Sequence, residues 1–413
     1  MKEWKKVKLG EYIDILSGFA FKSKDFSDSG IPVIKIKNVC PPYISLDDLS
    51  YIPEAIAFKK PRYILEKGDV LIAMTGSHIN QISSVVGRVG RVLYDDVTVL
   101  NQRVGKVINK NDKLSSIDFI YYYLSQYEVK VELAQKAGGA ANQANISPSD
   151  IKNLELSLPP LPTQHRIASI LSRYDALIEN YQKQIKLLEE AAARLYKQWF
   201  VELKFPGYQN TNISDGVPEG WEKKKISEIC DTIGGGTPST KVASYYEGGE
   251  IKWVTPTDIT RNNSLCLLDT EKKITDEGLK NSSAKMLPAG TILMTSRASV
   301  GYFGICDFEV CTNQGFISCI PFEKHHQMYL LFNLMSRVDE IRIKAGGSTY
   351  LEISKSVFRN FDIICPAHPI VNQFQTKVEK IINNIKNLSL QIRHLTESRD
   401  RLLPKLMSGE IEV

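Results

Sequence analysis

The apolar positions of the chain follow a seven-residue repeat in two stretches, one near the middle of the sequence and one at its end. The first seam consists of Ile167, Leu171, Tyr174, Ile178, Tyr181, Ile185, Leu188, Ala192, Leu195 and Trp199. The second consists of Phe374, Val378, Ile381, Ile385, Leu388, Ile392, Leu395, Arg399, Leu402 and Leu406. Steps that alternate between four and three residues are typical of helices paired in a coiled coil. The pattern therefore predicts two long helices that pack together in antiparallel orientation, and the alternative is two separate amphipathic helices that each lie on their own domain.

The two stretches are copies of one unit. Each seam position recurs 207 residues later, as Phe374 follows Ile167. A period of this length is that of a whole domain with its helix, because solenoid repeats have periods of about 20–50 residues. The globular segments repeat as well, at slightly different offsets, which is what insertions and deletions in surface loops leave. The matching pairs include WKKVKLGEYIDILSG from Trp4 with WEKKKISEICDTIGGG from Trp221, GDVLIAMTGS from Gly68 with GTILMTSRAS from Gly290, and Asn101-Gln102 with Asn313-Gln314.

Each repeat is predicted to be an α+β domain followed by a long helix. Short apolar runs such as VLIAM, TILM and FISCI are bounded by glycine, asparagine or aspartate, which is typical of strands. One shorter helix per repeat is predicted, at Ser116–Leu124 and Gln327–Ser336. The predicted domains are residues 1–158 and 206–365, and the predicted spacer helices are 159–205 and 366–413. Thr163 is predicted to cap the first long helix, and Pro404 to kink or end the second.

Composition narrows the class of protein only moderately. With 413 residues, 43% of them apolar and 24% charged, the chain is expected to form two globular domains with their own cores. A net charge of +5 permits a nucleic-acid partner without requiring one. The seven cysteines form no CxxC pair and predict free thiols. The start of the chain lacks a secretory h-region, and no run reaches the roughly 18 apolar residues of a membrane helix, so we expect a cytoplasmic protein without a membrane partner.

Motifs that carry catalytic chemistry are largely missing from the sequence. It contains no GxxxxGK[ST] phosphate loop, no HExxH and no GxSxG elbow, and no Cys or carboxylate lies at metal-ligand spacing from His325-His326. The run CPPY, residues 40–43, is similar to the Asp/Asn-Pro-Pro-Tyr loop of DNA amino-methyltransferases, but Cys40 cannot supply the strong acceptor of that loop. GEIK, residues 249–252, is similar to the end of a nuclease site. A fused DNA adenine methyltransferase or nuclease therefore stays open as an alternative, as does a coiled-coil scaffold without a DNA role.

Several long phrases resemble the specificity subunit of type I restriction-modification systems. They are LSGFAFKSKDF with GIPVIKIKNV (16–39), IGGGTPST with GGEIKWVTPTDI (233–259), PPLPTQHRIASIL (159–171), LYKQWFVEL (195–203) and LLPKLMSGEI (402–411). The resemblance spans nearly the whole chain in the family's order. It implies two target recognition domains that each read one half of a split DNA site, with two long helices as a spacer in a pseudo-two-fold internal repeat.

The resemblance also implies partners that supply the chemistry. Two modification (methyltransferase) subunits would dock on this chain, and motor-nuclease restriction subunits would join them on double-stranded DNA. No catalytic residue, cofactor or metal is then expected in this chain, whereas S-adenosylmethionine, ATP and Mg²⁺ would belong to the partner subunits.

The length of the predicted helices gives an expectation about the DNA site. About 40 helical residues form a rod of roughly 60 Å, which equals about 18 base pairs at about 3.4 Å per pair. We therefore expect two short sequences separated by a fixed unread gap. Because the two domains differ in sequence, the site is expected to be asymmetric.

Amide and basic side chains in loops near strand ends are the candidates for DNA contact, because amides suit adenine and arginine suits guanine in the major groove. The candidates in the first domain are Lys35, Lys37, Asn38, Ser77, His78, Asn80, Gln81, Asn142 and Gln143. Those in the second domain are Thr255, Thr257, Asp258, Ser296, Arg297, Ser348, Thr349 and Tyr350. The repeated Asn101-Gln102 and Asn313-Gln314 are interpreted as scaffold turns, since readout should differ between the halves.

Overall fold

The computed structural model describes residues 4–77, 85–138, 144–347 and 350–413. Seven candidate residues fall outside these ranges, namely His78, Asn80, Gln81, Asn142, Gln143, Ser348 and Thr349. The chain forms two compact units, one made of Met1–Leu177 with Leu395–Val413 and the other of Ile178–His394. Each unit therefore combines a globular domain with segments of both long helices.

The first unit is built on two mixed sheets. The six-stranded sheet has the order Ile13–Ser17, Val104–Asn109, Val70–Ala73, Val89–Arg91, Tyr43–Ile44, Val39–Cys40. The four-stranded sheet has the order Ser50–Ile52, Ile31–Ile34, Thr98–Leu100, Ile64–Leu65. Two short pairs join Lys5–Lys8 to Glu155–Leu158 and Thr75–Gly76 to Ala144–Asn145. The shorter α-helices are Glu54–Ala57, Ile117–Leu124, Tyr127–Lys136 and Pro148–Lys152.

The second unit repeats this plan with smaller sheets. Its four-stranded sheet has the order Cys230–Gly234, Phe316–Pro321, Ile292–Thr295, Phe303–Ile305, and its three-stranded sheet Lys272–Ile274, Ile251–Val254, Cys311–Thr312. The remaining pairs join Glu222–Lys225 to Asp362–Cys365 and Ile213–Ser214 to Val217–Pro218. The shorter α-helices are Ile226–Ile229, Pro256–Thr260, Asp276–Lys280, Gln327–Ser336, Val338–Lys344 and Lys355–Arg359.

The strand registers of the two units agree residue for residue. Ile13 pairs with Asn109 in the first unit, and Cys230 pairs with Pro321 at the equivalent positions of the second. The central parallel strands agree as well, since Val99 pairs with Val33 and Cys311 pairs with Trp253. A one-residue slip would turn every side chain to the opposite face of its sheet, so the shared register preserves one core pattern in both units. The predicted α+β fold of two β-rich repeats is confirmed.

The long helices are Leu161–Tyr196, which ends in a π-helical turn at Lys197–Val201, and His368–Ser408. Seam positions seven residues apart in the first helix are fully buried, from Leu171 through Ile178, Ile185 and Ala192 to Trp199. The alternate positions between them are half-buried. The predicted seam is therefore the packed face of the first long helix from Leu171 to Trp199.

Contacts within each unit show that the two helices run in opposite directions. In the first unit, Asp175 of the first helix contacts Arg399 of the second. In the second unit, the ring centroid of Trp199 lies 5.9 Å from that of Phe374. Residue numbers rise along one helix as they fall along the other, so the predicted antiparallel pairing is confirmed.

The structure contradicts two expectations about helix ends: Thr163 does not cap the first long helix, and Pro404 does not end the second. The first helix begins at Leu161, and the backbone N–H groups of Thr163 and Gln164 already bond to the carbonyl oxygen of Pro160, so Thr163 lies inside the first turn. The second helix continues through Pro404 to Ser408. Leu403 and Leu406, on either side of the proline, are buried in the core of the first unit, and this packing offsets the missing hydrogen bond.

A half-buried polar cluster takes the place of an apolar seam contact in the first unit. The guanidinium of Arg399 donates to Asp175 at 2.7 Å, and the hydroxyl of Tyr122 donates to the same carboxylate at 2.6 Å. Burial, followed by the negative charge of Asp175, raises the pKa of Tyr122. The repeat places Ile382 and Ala192 at the positions of Asp175 and Arg399, and both are buried in the second unit.

Histidines meet at the start of the second helix. The rings of His325 and His326 have centroids 4.3 Å apart, and His368 packs against His325 at the same distance. The Nε2 atom of His326 lies 3.2 Å from the thiol of Cys365. Burial, with the neighbouring His325, lowers the pKa of His326 to about 4. Over the described ranges, no group of three or more His, Cys, Asp or Glu side chains has the geometry of a metal site.

The seven cysteines are free thiols with unequal exposure. Cys40 of the first unit is half-buried, whereas the second unit holds six buried thiols, Cys230, Cys266, Cys306, Cys311, Cys319 and Cys365. Burial raises the pKa of Cys266 to about 12 and that of Cys306 to about 11.

Substitution Arg399→Ala is expected to lower the free energy of unfolding by about 1–2 kcal/mol, because the carboxylate of Asp175 would lose its ion-pair partner in a half-buried position and retain only the hydroxyl of Tyr122. Urea denaturation of the full chain measures this change. The exposed Arg401 offers a charge-matched control, and Arg401→Ala should stay within about 0.5 kcal/mol of the parent. Equal effects of the two substitutions would contradict a structural role for the cluster.

Stability should fall as the pH is lowered from about 6.5 toward 4. In this window His326 is protonated in the unfolded state but stays neutral in the folded state, because its pKa is lower there. Acidification therefore favours unfolding. The two pKa values alone correspond to about 2 kcal/mol at pH 5, and because solvent screens the half-buried His326 we expect it to account for about 1 kcal/mol of this loss. Denaturant titrations at pH 7 and pH 5 should therefore show a smaller loss for His326→Asn than for the parent, while His165→Asn, an exposed site on the first long helix, should behave like the parent.

Candidate nucleic-acid interface

A chain of main-chain hydrogen bonds aligns four loops at the strand ends of the first unit. The N–H of Asn101 donates to the carbonyl oxygen of Ile34 at 3.1 Å. The N–H of Met74 donates to Arg103 at 3.0 Å, and the N–H of Ile146 donates to Met74 at 2.9 Å. Residues 35–38, 74–77, 101–103 and 144–146 thus lie along one edge.

The second unit contains the same chain of bonds. The N–H of Asn313 donates to Val254 at 3.0 Å, that of Ser296 donates to Gly315 at 2.8 Å, and that of Ile353 donates to Ser296 at 3.0 Å. Here the aligned segments are 255–258, 296–299, 313–315 and 350–353. We call each set of four segments the loop edge of its unit. The structure thereby brings together candidate residues that are far apart in the sequence.

Glycine allows a further segment to approach each loop edge closely. A Cβ atom on Gly18 would lie closer than 3.0 Å to the carbonyl oxygen of Asn101, and a Cβ atom on Gly235 would lie equally close to that of Asn313. No other residue fits without a backbone shift. The Asn-Gln turns are therefore held in the same place in both units by backbone contacts.

The candidates at 35–38 are mostly engaged inside the first unit. The side chain of Asn38 is only 1% exposed, and its amide accepts from the N–H of Lys35 at 3.0 Å and donates to the carbonyl oxygen of Asp47 at 3.0 Å. The ammonium of Lys35 donates to the hydroxyl of Ser50 at 2.8 Å, and burial lowers its pKa. Lys37 is exposed and forms an ion pair with Asp48. In this arrangement Lys37 alone of the three presents its charge at the surface.

The equivalent turn of the second unit is closed by a carboxylate. Asp258 accepts from the N–H of Thr255 at 2.7 Å, from the hydroxyl of Thr255 at 2.6 Å and from the N–H of Glu271 at 2.8 Å. This arrangement caps the short helix Pro256–Thr260. Thr257 is half-buried. Asp258 therefore acts within the turn.

The strand-end loops differ between the units. In the first unit, Thr75 is buried and its hydroxyl donates to the side-chain carbonyl of Asn145 at 2.8 Å, and the half-buried Ser77 follows it. In the second unit, Ser296 is 3% exposed, while Arg297 is about half exposed and lies 3.5 Å from the carboxylate of Glu352. An exposed ion pair thus replaces a part-buried hydrogen bond between Thr75 and the exposed Asn145 at equivalent positions.

The loop edge of the second unit also carries exposed apolar surface. Tyr350 is 60% exposed, and Leu351 beside it is 39% exposed. The carbonyl oxygen of Leu351 accepts from the N–H of Ala298, which joins this segment to the loop after Ser296. Ser296, Arg297 and Tyr350 are therefore brought to one place.

The exposed residues on the loop edges that the candidate set omitted include Gln102 and Arg103 of the first unit. Their position in a repeated Asn-Gln turn was interpreted as scaffold. The signal that could have identified them is the residue after the repeat, since Arg103 corresponds to Gly315 in the second half. Arg91 takes a structural role instead, with its guanidinium 3.1 Å from Asp118 and 4.0 Å from the centroid of the Tyr121 ring.

The two enzyme-like motifs are parts of the scaffold. Cys40 pairs with Tyr43 in a short hairpin, and the carbonyl oxygen of Pro42 accepts from Tyr121 Oη and from the N–H of Arg91, both at 3.1 Å. In GEIK, the ammonium of Lys252 lies 3.5 Å from the carboxylate of Asp269. Neither motif presents a free acceptor and base together. In the described parts of the chain, no helix is both long and apolar enough to cross a membrane.

Known proteins resemble the chain over its whole length. The specificity subunit of type I restriction enzyme MjaIX from Methanocaldococcus jannaschii is 27% identical, over 100% of this chain and 94% of its own. That of type I restriction enzyme HindI from Haemophilus influenzae is 25% identical, over 84% of this chain and 87% of its own. The crystal structure of a type I restriction-modification S subunit from M. genitalium has the same fold, with a TM-score of 0.57 at 16% identity over 98% of this chain and 96% of its own.

The family described as type I restriction modification DNA specificity domain matches the sequence twice, over residues 1–190 and over residues 218–397. Each match covers one globular domain and most of the long helix that follows it, as the internal repeat requires. The chain belongs to the family of type I restriction modification DNA specificity domains.

Proposed function

We propose that the chain is the DNA-recognition subunit of a type I restriction-modification complex and that each of its two units reads one half of a split site. The observation that carries the proposal is the pair of loop edges, which share one main-chain framework and differ in the side chains they present. A common framework fixes how each unit approaches the duplex, while different side chains select different bases.

The side chains at equivalent positions support an asymmetric site. Thr75 and Asn145 of the first unit correspond to Arg297 and Glu352 of the second. Arginine at the second edge suits guanine, and a buried threonine at the first edge cannot make that contact. Two units that differ in this way select two different half-sites.

Catalysis belongs to partner subunits in this proposal. Two modification subunits bind the chain, and restriction subunits join the resulting complex. S-adenosylmethionine, ATP and Mg²⁺ act in those partners, and DNA and all subunits meet in the cytoplasm. The scaffold roles of CPPY and GEIK support this division of labour.

The helices set the spacing of the half-sites in this proposal. Each long helix has residues in both units, since the first crosses the boundary after Leu177 and the second after His394. A change in helix length therefore acts on both units at once. Loops at the strand ends would in contrast alter only the bases that are read.

Selection from a randomised duplex pool tests recognition itself. The full chain with its modification subunits should retain duplexes that share two short, unlike sequences separated by one fixed gap. Retention should weaken as salt rises, because contacts to phosphates release counterions. Sequencing at several salt concentrations measures both properties. Enrichment of a single contiguous motif, or of no sequence at all, would contradict the proposal and favour an enzyme or scaffold role.

Removal of one heptad from each helix should change the gap. Deletion of 178–184 together with 390–396, which face each other in the antiparallel pairing, keeps the seam in phase. Seven helical residues span about 10 Å, or about three base pairs, so we expect the retained duplexes to have a different gap and the same two half-site sequences. Retention of the original gap would contradict the role of the helices as a spacer.

A further inference from the structure

The Asn-Gln turn occupies the same main-chain position in both units. Its first residue donates to the end of the central parallel strand, and the carbonyl oxygen of its third residue accepts from the strand-end loop. The third residue is Arg103 in the first unit and Gly315 in the second. At this point of the loop edge, the two units share their main-chain hydrogen bonds but carry different side chains.

The turn of the second unit is closed by its own neighbours. The hydroxyl of Thr237 donates to the side-chain carbonyl of Gln314, although Gln314 is exposed. Gly315 has no side chain, and a Cβ atom there would lie 3.1 Å from the ring of Pro256. The second unit therefore uses this turn as scaffold, as its sequence pattern predicts.

The turn of the first unit is open. Ala20 stands where the repeat places Thr237, so it offers Gln102 no hydroxyl. Arg103 is exposed, and no carboxylate of the described residues forms an ion pair with it. The backbone carbonyl of Arg103 still holds the strand-end loop, which fixes the base of the side chain.

Other cations near the first loop edge are engaged. Lys35 bonds to Ser50, Lys37 pairs with Asp48, and Arg91 lies against Tyr121 and Asp118. Arg103 in contrast is exposed, and its side chain has no such contact with the described residues. An arginine on a rigid backbone has the fork of donors that matches the O6 and N7 atoms of guanine.

We infer that Arg103 is a specificity-determining residue of the first unit and reads a guanine in the half-site of that unit. The second unit has no counterpart, because Gly315 takes the position. The inference rests on the proposed function and adds to it an assignment of one base contact to one side chain. It also gives the Asn-Gln turn two different roles in two copies of one fold.

The test repeats the duplex selection with the full chain and its modification subunits, using Arg103→Ala and Arg103→Lys. In the parent we expect a G·C pair at one position of one half-site. Arg103→Ala should reduce the preference for that pair by about 5- to 150-fold and leave the other half-site unchanged. Arg103→Lys keeps the charge and should retain only part of the preference, because lysine lacks the planar fork.

Lys113→Ala provides a charge-matched control in the same unit. Lys113 is exposed and follows the far end of the strand Val104–Asn109, about 20 Å from Arg103. This variant should keep both half-sites and nearly the parent affinity. Arg103 supports a backbone contact only through its carbonyl oxygen, so thermal unfolding of the alanine variant should match the parent and exclude misfolding.

The outcomes separate this inference from the proposed function. If the parent selects a split site and Arg103→Ala leaves both half-sites intact, the function stands and the assignment of Arg103 is overturned. A uniform loss of affinity with a shallower salt dependence, restored by Arg103→Lys, would mean a phosphate contact and would also overturn it. If the parent selects no split site, the proposed function itself fails.

Discussion

Main-chain hydrogen bonds hold each loop edge together, and this constraint decides what the rest of the unit can vary. The bonds from Asn101 to Ile34 and from Asn313 to Val254 use backbone N–H and carbonyl groups that every residue except proline possesses, and so do the bonds around Met74 and Ser296. Substitutions on the edge therefore leave the positions of the loops intact. A recognition surface built in this way can change its chemistry while the strands behind it keep one register.

The core pattern of the chain was predictable because periodicity records burial directly. The seam from Leu171 to Trp199 is buried at every seventh residue, as the heptad pattern predicts. The strand registers agree between the two units because the internal repeat gives both units the same pattern of buried positions. Helix ends were less predictable, since tertiary packing around Pro404 outweighs its local preference and the prolines before Leu161 start the helix earlier than a threonine cap would.

The candidate site was predictable as a set of loops but not as a set of side chains. Asn38 and Asp258 are polar residues in loops near strand ends, which is how a base reader would look in a sequence. Both turned out to satisfy backbone groups of their own turns, because a side-chain oxygen three residues after an extended residue closes a cap. Arg103 shows the converse case, in which a repeated backbone feature carries an unrepeated side chain.

The uneven distribution of cysteines gives the molecule a built-in chemical reporter. Six thiols are buried in the second unit, where burial raises the pKa of Cys266 and Cys306 well above neutral pH, while Cys40 of the first unit is half-buried. Thiolates are the reactive form toward alkylating agents. Mass spectrometry can measure the rate of alkylation at each cysteine. These rates would report how often the second unit opens locally, and no engineered label is needed.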